Sequence, residues 1–263
     1  MIKMFLDIKN YVRFRELQIA LVKREIKIRY KQTSLGAAWA ILQPLSLMTI
    51  FTLVFSFFLN IDSQGIPYPI FSYSALLPWT FFATSMSFGT LSIINNSSLV
   101  SKVYFPREVL PLASLGAAFL DFVVSGIIFL GFIFWYKTPL TFQVFWVVPI
   151  IMLQVVFISS MLFFLSALVV LWRDLKFIVP LVIQVWMYTT PIIYPITQVP
   201  ENLRALYVLN PMAVVIDSFR RVTIMGKPPV LPEIGIAILI SIILFLTGYA
   251  FFKAKEKVFA DII

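Results

Sequence analysis

The sequence contains no cysteine and no histidine. Without thiols or imidazoles the chain cannot form disulfides, Cys/His zinc sites or a haem ligated by either residue, and it lacks the commonest general base. Charge is also scarce, because only 13% of its 263 residues are Asp, Glu, Lys or Arg, against about 25% in a typical soluble domain. A water-soluble fold and catalysis by this chain are therefore both disfavoured.

Long apolar stretches dominate the chain, in which 60% of the residues are hydrophobic. Each of six stretches is long enough to cross about 30 Å of hydrocarbon as a helix, which takes about 20 residues. They are apolar on every side, whereas barrel strands would alternate polar and apolar residues. The sequence predicts an all-α polytopic membrane protein, with a segment 1–36 before a six-helix transmembrane domain, 37–263. The predicted transmembrane helices are 37–59, 71–94, 109–135, 145–172, 177–196 and 234–252.

Lysine and arginine are distributed unequally between the connections. The segment before the first span, the second and fourth connections and the segment after the last span hold 16 of the 21 lysines and arginines. Because cytoplasmic connections carry the excess of basic residues, both termini are predicted to be cytoplasmic. The same asymmetry accounts for the net charge of +9 without a nucleic-acid partner. Membrane lipid is the expected anionic neighbour of this face.

The segment 11–31 contains no proline or glycine and is predicted to form an amphipathic interfacial helix. Two apolar stripes run along it, almost opposite one another. One stripe suits the lipid headgroup region and the other suits a protein surface. A simple anchor helix in the interface is the alternative interpretation. The stripes are Ile19, Val22, Ile26 and Tyr30, and Leu17, Leu21 and Ile28.

The second connection is predicted to contain a short helix with exposed apolar residues. Asn and Ser residues supply an N-cap, Leu99 and Val103 share one helical face, and Pro106 ends the turn. Val103, Tyr104 and Phe105 are expected to be exposed, and a plain loop has no reason to carry them. They suit a docking knob for a cytosolic partner, with contact to the bilayer as the alternative.

The fifth connection is long, and helix signals divide it into two short external helices at about 200–226. An Asn-Pro pair starts the second helix and a Gly followed by two prolines ends it. Both are too short to cross the membrane, so they are predicted to be re-entrant. Asp217 precedes Arg220 and Arg221 by three and four residues, which predicts an ion pair on a polar face. The apolar stripe of the second helix is Met212, Val215, Ile216, Phe219 and Val222.

Polar residues and prolines concentrate in the first and fifth predicted spans. Proline frees backbone carbonyls that lipid cannot satisfy, so these spans are predicted to face protein or a lumen. Polar contacts between helices are the competing explanation. Aromatic faces can stack on sugar rings while the hydroxyls stay hydrated, so such a lumen would suit a sliding glycan. The candidate channel-lining residues are Trp39, Gln43, Phe51, Phe55, Gln184, Trp186, Tyr188 and Tyr194.

Asp121 lies near the middle of the third predicted span, where a carboxylate is costly. It is either a functional acid or the donor or acceptor of a structural hydrogen bond, and the spans offer no lysine or arginine as its partner. The chain also lacks the G-x-x-x-x-G-K-[ST] phosphate loop. Any nucleotide hydrolysis must therefore take place on another chain.

Together these features resemble the permease subunit of bacterial ABC exporters for polysaccharides, the group that exports O-antigen, capsule and teichoic acid. The resemblance covers nearly the whole chain. Each of its motifs is weak alone, but their combination is specific. The motifs are 30–36 (YKQTSLG) continuing into 39–44 (WAILQP), 103–111 (VYFPREVLP), 173–176 (RDLK), 186–195 (WMYTTPIIYP) and 210–212 (NPM) with Phe219 and Arg220.

The resemblance implies a homodimer in the bacterial inner membrane, with two cytosolic ABC ATPase subunits that bind ATP and Mg. This chain would bind no cofactor or metal. The substrate would be a glycan on a polyprenyl diphosphate lipid. A coupling helix at about 97–107 would seat Leu99, Lys102, Val103, Tyr104, Phe105 and Arg107 in the ATPase. The external gate would include Arg204, Asp217, Phe219, Arg220 and Arg221.

The sequence therefore predicts a transport subunit of an ATP-driven exporter for a lipid-linked, O-antigen-like polysaccharide, and not an enzyme. Two alternatives stay open. One is an ABC permease for a drug or a small lipid, because aromatic richness favours glycans only modestly. The other, weaker one is an integral-membrane glycosyltransferase, which would need an acidic pair or a base near the membrane face.

Overall fold

A computed structural model describes residues 8–31 and 35–262, and within these ranges every regular element is a helix. The all-α prediction is confirmed. Residues 32–34 of the YKQTSLG motif and the start of the predicted segment 1–36 lie outside the described residues. The helices are α1 (Ile8–Tyr30), α2 (Trp39–Phe51), α3 (Tyr68–Gly89), α4 (Ser92–Asn95), α5 (Ser97–Lys102), α6 (Val109–Trp135), α7 (Val147–Leu171), α8 (Leu175–Thr189), α9 (Glu201–Val208), α10 (Pro211–Thr223), α11 (Leu231–Lys255) and α12 (Phe259–Ile262).

Four helices in the described part of the chain are long and apolar enough to cross a membrane. They match the first, third, fourth and sixth predicted spans. The other two predicted spans correspond to α3, which has 22 residues, and to α8, whose 15 residues fall short of the roughly 20 needed. By length and composition the chain is a multi-pass membrane protein. The four helices are Trp39–Phe58, Val109–Trp135, Phe142–Leu171 and Leu231–Val258.

Helix α3 forms the centre of the bundle and packs against α2, α6, α7 and α10. Most of its side chains are buried, although Ser87 and Phe88 near its end are exposed, and burial of a helix of mixed composition requires hydrogen-bond partners for its polar groups. Ser72 and Ser74 donate to the carbonyl oxygens of Pro69 and Phe71 within the same helix. These two serines therefore add no unpaired hydroxyl to the core, whereas the buried hydroxyl of Ser85 in the same helix has no hydrogen-bond partner among the described residues.

Helices α7 and α11 form the most extensive pair in the fold. Gly248 of α11 makes close packing possible, because a Cβ atom there would lie 2.6 Å from the carbonyl oxygen of Ser160 on α7. Small residues allow helices to approach closely where lipid provides no hydrophobic driving force between them. Phe163 of α7 then packs edge-on to Tyr249 and against Phe252.

The fifth predicted span is shorter than the sequence indicated, because α8 ends at Thr189 instead of continuing to residue 196. Thr190 adopts an extended conformation immediately before Pro191. A residue that precedes proline is disfavoured in the α-helical region, and a second proline follows at Pro195. The segment 190–195 is therefore an irregular link between α8 and the short helices α9 and α10.

The two ends of the bundle have separate buried clusters. At the α5 end, residues from α1, α5, α7, α11 and α12 come together, among them Leu21, Val100, Phe163, Phe252 and Phe259. At the α10 end, the cluster instead combines residues of α3, α6, α7 and α10. Helix α11 begins beside α10 and ends beside α12, so it connects the two ends.

Candidate functional site

The predicted coupling helix is shorter than 97–107, because α5 ends at Lys102 and Val103 is extended. The chain then forms an exposed apex. Val103 is 51% exposed and Tyr104 is 98% exposed. Together with the exposed Lys102, these residues project an apolar and aromatic surface from the bundle. Lys102, Val103 and Tyr104 are called the apex below.

Phe105 does not share this exposure, and the prediction that it would be exposed is wrong. Its side chain is only 5% exposed and belongs to the same buried cluster as Val100 of α5. Leu99 is half-buried against that cluster. The apex therefore lies next to an apolar base that includes Val100 and Phe105.

Arg107 is turned inward rather than toward a docking surface. Its guanidinium donates to the backbone carbonyl of Glu256. Its backbone N–H donates to Glu256 Oε1 at 3.1 Å. Arg107 and Glu256 are 149 residues apart in the sequence, so the sequence alone could not indicate this contact.

Asp121 has a basic partner, and, as the sequence indicated, it does not come from a span. Arg29 of α1 places Nη1 3.0 Å from Asp121 Oδ2. The hydroxyl of Tyr30 donates to the other carboxylate oxygen at 2.8 Å. Arg29 comes from the amphipathic helix rather than from a span, and long basic side chains can extend along apolar surface to reach a distant charge. The spans alone could not reveal it.

The ion pair attaches α1 to the bundle. Arg29 also donates to the carbonyl of Ser114 at 3.2 Å, and its guanidinium lies 4.1 Å from the centre of the Phe88 ring. Burial and the hydrogen bond to Asp121 raise the pKa of the Tyr30 phenol well above its usual value, so it remains a donor. The arrangement holds the Asp121 carboxyl group in position between α1 and α6.

A cavity of about 590 Å³ opens between α1, α2, α3 and α6. Trp39 and Gln43, both predicted to line a channel, lie in its wall together with Asp121. Its lining combines basic, amide and hydroxyl groups with aromatic rings, which suits the polar head of an amphiphile. The polar lining residues are Arg24, Glu25, Arg29, Tyr30, Gln43, Thr80, Thr84, Ser87, Asn95, Asn96, Asp121 and Ser125.

The other candidate channel-lining residues are not gathered in that cavity. Trp186 and Tyr188 line a second cavity of about 640 Å³ between α7, α8, α9 and α11. Gln184 is exposed on α8, and Phe51 is buried with its ring edge-on to Phe55 at 5.5 Å. The remaining candidate, Tyr194, shares a hydrogen bond of 2.6 Å with the hydroxyl of Tyr207.

Arg220 is fully buried and organises the irregular link after α8. It donates to the carbonyls of Pro191 and Ile192 at 3.1 and 3.0 Å, and it lies 3.7 Å from the centre of the Phe71 ring. It thereby satisfies carbonyls that the broken helix leaves free. The predicted ion pair with Asp217 on a polar face is not among the ion pairs of the described residues, and Asp217 is itself buried.

The other predicted gate residues also make local structural contacts. Arg204 of α9 donates to the carbonyls of Val199 and Thr197 at 3.0 and 3.1 Å. Arg221 donates to the Pro228 carbonyl at 3.1 Å, and Phe219 packs against a phenylalanine of α6. These contacts make α9, α10 and the link after α8 one connected unit.

The start of α10 follows the sequence prediction. The Asn210 side chain accepts a hydrogen bond from the backbone N–H of Met212, with Pro211 at the first helical position. Asn210 also donates to the hydroxyl of Thr190 at 3.3 Å. Tyr68 of α3, which the sequence did not single out, donates to the carbonyl of Ile193 at 2.9 Å.

Comparison with known proteins places the chain in a family. A family model described as ABC-2 type transporter matches residues 16–224. The O-antigen export system permease protein RfbA of Myxococcus xanthus is 30% identical over 97% of this chain and 98% of its own length. RfbA of Klebsiella pneumoniae is 31% identical over 94% of this chain and 95% of its own length.

A more distant relative is the polysialic acid transport protein KpsM of Escherichia coli, which is 22% identical over 90% of this chain and 93% of its own length. The family model and the three relatives all span the α1–α6 contact, the apex and the α8–α10 unit. Given the helical membrane fold and this match over most of its length, the chain belongs to the ABC-2 type transporter family of membrane proteins.

Proposed function

We propose that this chain is the membrane-spanning subunit of an ATP-driven exporter that moves a lipid-linked polysaccharide across the bacterial inner membrane. A separate subunit hydrolyses the ATP. The observation that carries the proposal is the apex, an exposed aromatic surface on a buried base, in a chain whose family transports by ABC machinery. The names of the relatives that match nearly the whole chain support a polysaccharide as cargo.

The proposal includes six membrane crossings. Length and composition support four of them, and α3 and α8 are proposed as the other two. The excess of lysine and arginine at the α5 end supports a cytoplasmic location for that end and for both termini. Helices α9 and α10 then lie at the opposite face as re-entrant helices. Arg220 supports this arrangement, because it supplies hydrogen bonds that lipid cannot give to the link after α8.

A second copy of the chain would complete the passage. Helices α2 and α8 carry exposed apolar surface on the subunit, including Phe57 and Phe58 beyond the end of α2 and Phe177 and Leu181 on α8. Such surface in a membrane protein meets either lipid or another protein. Trp39, Gln43, Trp186 and Tyr188 line the cavities beside these two helices and would contact the glycan or its lipid diphosphate carrier.

The apex provides the test of ATPase coupling. Val103→Asp and Tyr104→Asp each place a charge where an apolar docking contact is expected, while the buried base is unchanged. In cells that carry the partner ATPase and the lipid-linked glycan, both variants should insert normally and export little glycan to the surface. Leu140→Asp, which places a charge at an exposed apolar position in the connection between α6 and α7, is the matched control. Normal export by both apex variants would refute the coupling role.

The same assay separates the alternative cargoes. Surface glycan should depend on the chain, whereas resistance to lipophilic drugs and outward movement of short-chain lipids should not. If drug or lipid movement depends on the chain and glycan export does not, the permease for a drug or small lipid is the correct assignment.

A further inference from the structure

The segment that follows the apex is joined to the end of α11 by a group of charged residues. Glu108 precedes α6 and is almost fully buried. Lys253 of α11 places Nζ 2.7 Å from Glu108 Oε2 and 2.9 Å from Glu256 Oε2. Residues 108 and 253 are 145 positions apart in the chain, so neither motif nor helical spacing connects them. A buried carboxylate is tolerated only with such a partner.

Arg107 closes this group from the apex side. Its backbone N–H and its guanidinium both donate to Glu256, one to the side chain and one to the main chain. The chain therefore passes directly from the apex into two consecutive residues, Arg107 and Glu108, that are both bound to the end of α11. The four residues Arg107, Glu108, Lys253 and Glu256 are called the charge clamp.

Apolar packing beneath the charge clamp extends the connection. Phe259 of α12 is fully buried, packs edge-on to Phe252 of α11 at 5.4 Å and belongs to the same cluster as Phe105. Phe252 in turn contacts Phe163 of α7 at 5.5 Å. Arg173, in the turn between α7 and α8, donates to the carbonyl of Ile262 at 3.3 Å. The end of α11 thus packs against α7, and α12, which follows it, contacts the turn between α7 and α8.

We infer that Lys253 is a positioning residue for energy coupling, because it holds the apex and α11 together as one rigid body. The inference rests on the proposed function, since it concerns how movement of the apex reaches the spans. A displacement of the apex by a partner would pull on Glu108 and move α11. The close α7–α11 contact at Gly248 would then transmit the movement to α7 and α8. Lys253 touches neither substrate nor nucleotide.

The test compares three substitutions in the complex with the partner ATPase, reconstituted in vesicles with lipid-linked glycan. Lys253→Met removes the charge and keeps an unbranched chain. Lys253→Arg keeps the charge and can bind both carboxylates. Lys257→Met removes a nearby exposed lysine that makes no ion pair in the described part of the chain. ATP turnover, exported glycan and thermal stability are measured for each.

The complex that carries Lys253→Met should still hydrolyse ATP. It should export at least about fivefold less glycan per ATP hydrolysed, because breaking one contact of a coupling path weakens the coupling free energy. Lys253→Arg and Lys257→Met should keep the wild-type ratio. A purely structural role would lower thermal stability and leave the ratio of glycan to ATP unchanged, and that result would overturn the inference.

Glu256→Gln covers the case in which Lys253→Met fails to insert or assemble. Its amide oxygen can still accept from Arg107, while the charge facing Lys253 is lost, so a smaller drop in the ratio is expected. Suppose that Tyr104→Asp uncouples transport, but that Glu256→Gln or Lys253→Met keeps the wild-type ratio of exported glycan to ATP. That result would overturn the inference and leave the proposed function standing. If Tyr104→Asp also coupled ATP hydrolysis to export normally, the inference about Lys253 and the proposed function would both be refuted.

Discussion

Individual charged residues in this chain act mainly as attachments between elements. Arg29 attaches the amphipathic helix α1 to α6, Lys253 attaches α11 to the segment after the apex, and Arg220 attaches α10 to the link after α8. Each is largely or fully removed from water and donates to carboxylates or carbonyls, although the Nε atoms of Arg29 and Arg220 have no hydrogen-bond partner among the described residues. In an environment that offers few hydrogen-bond partners, such residues fix one arrangement of helices over others.

Removal of the Asp121 carboxylate should destabilise the fold. Asp121→Asn leaves the buried guanidinium of Arg29 without its counter-charge, and breaking a buried pair in this way costs about 3 kcal/mol or more. The midpoint of thermal unfolding in detergent should fall by several degrees. Asp62→Asn, at an exposed carboxylate between α2 and α3, is the control and should leave the midpoint unchanged.

Replacement of both partners tests the cause of that loss. Arg29→Met combined with Asp121→Leu removes the charges together, so the double variant should be more stable than Asp121→Asn alone. An unchanged midpoint in Asp121→Asn would show that the pair does not stabilise the fold. So would a double variant whose loss of stability relative to the wild type equals the sum of the losses of Arg29→Met and Asp121→Leu measured singly.

At the scale of helices, the sequence predicted whether an element exists better than where it ends. The N-cap and proline at the start of α10 are local signals, and α10 begins where they indicate. Helices α5 and α8 both end earlier than their apolar patterns suggested, at Lys102 and Thr189. After α8 the apolar residues of 190–193 are buried in irregular backbone, whereas after α5 the apolar residues Val103 and Tyr104 are exposed at the apex. Hydrophobic periodicity cannot distinguish either segment from helix.

Contacts between distant elements could not be predicted from one sequence. Exposure of Val103 and Tyr104 was inferred correctly from their neighbours, but Phe105 is buried in a cluster that draws on distant elements, including α12 about 150 residues later. The partner of Asp121 was missed for the same reason. In both cases the local pattern gives the chemical character of the residue, and the tertiary fold decides what it touches.

The contact between α7 and α11 should be sensitive to a single methyl group. Gly248→Ala places a Cβ 2.6 Å from the Ser160 carbonyl oxygen, so the helices must separate. Gly131→Ala in α6 has open space around its Cβ and should be neutral or slightly stabilising, because alanine favours a helix by about 1 kcal/mol over glycine. Thermal unfolding in detergent compares the two. Equal midpoints would contradict the close approach.

At the scale of the whole molecule, the structure joins three functional regions. The apex and the charge clamp lie at one end, the α8–α10 unit held by Arg220 lies at the other, and the α7–α11 pair connects them. Movement at the apex therefore has a continuous set of packed and hydrogen-bonded contacts through which to reach the opposite face. This arrangement suits a subunit that performs transport with energy released on another chain.

Direct contact between the apex and an ATPase is the central claim, and the absence of cysteine makes it measurable. Tyr104→Cys supplies the only thiol in the chain, to which a photo-activated crosslinker can be attached in membranes that contain the partner ATPase. The account predicts a covalent product between this chain and the ATPase, and no such product from a cysteine at Gln64. Labelled Tyr104→Cys that crosslinks only to lipid, or that reacts with reagents from outside the cell, would contradict it.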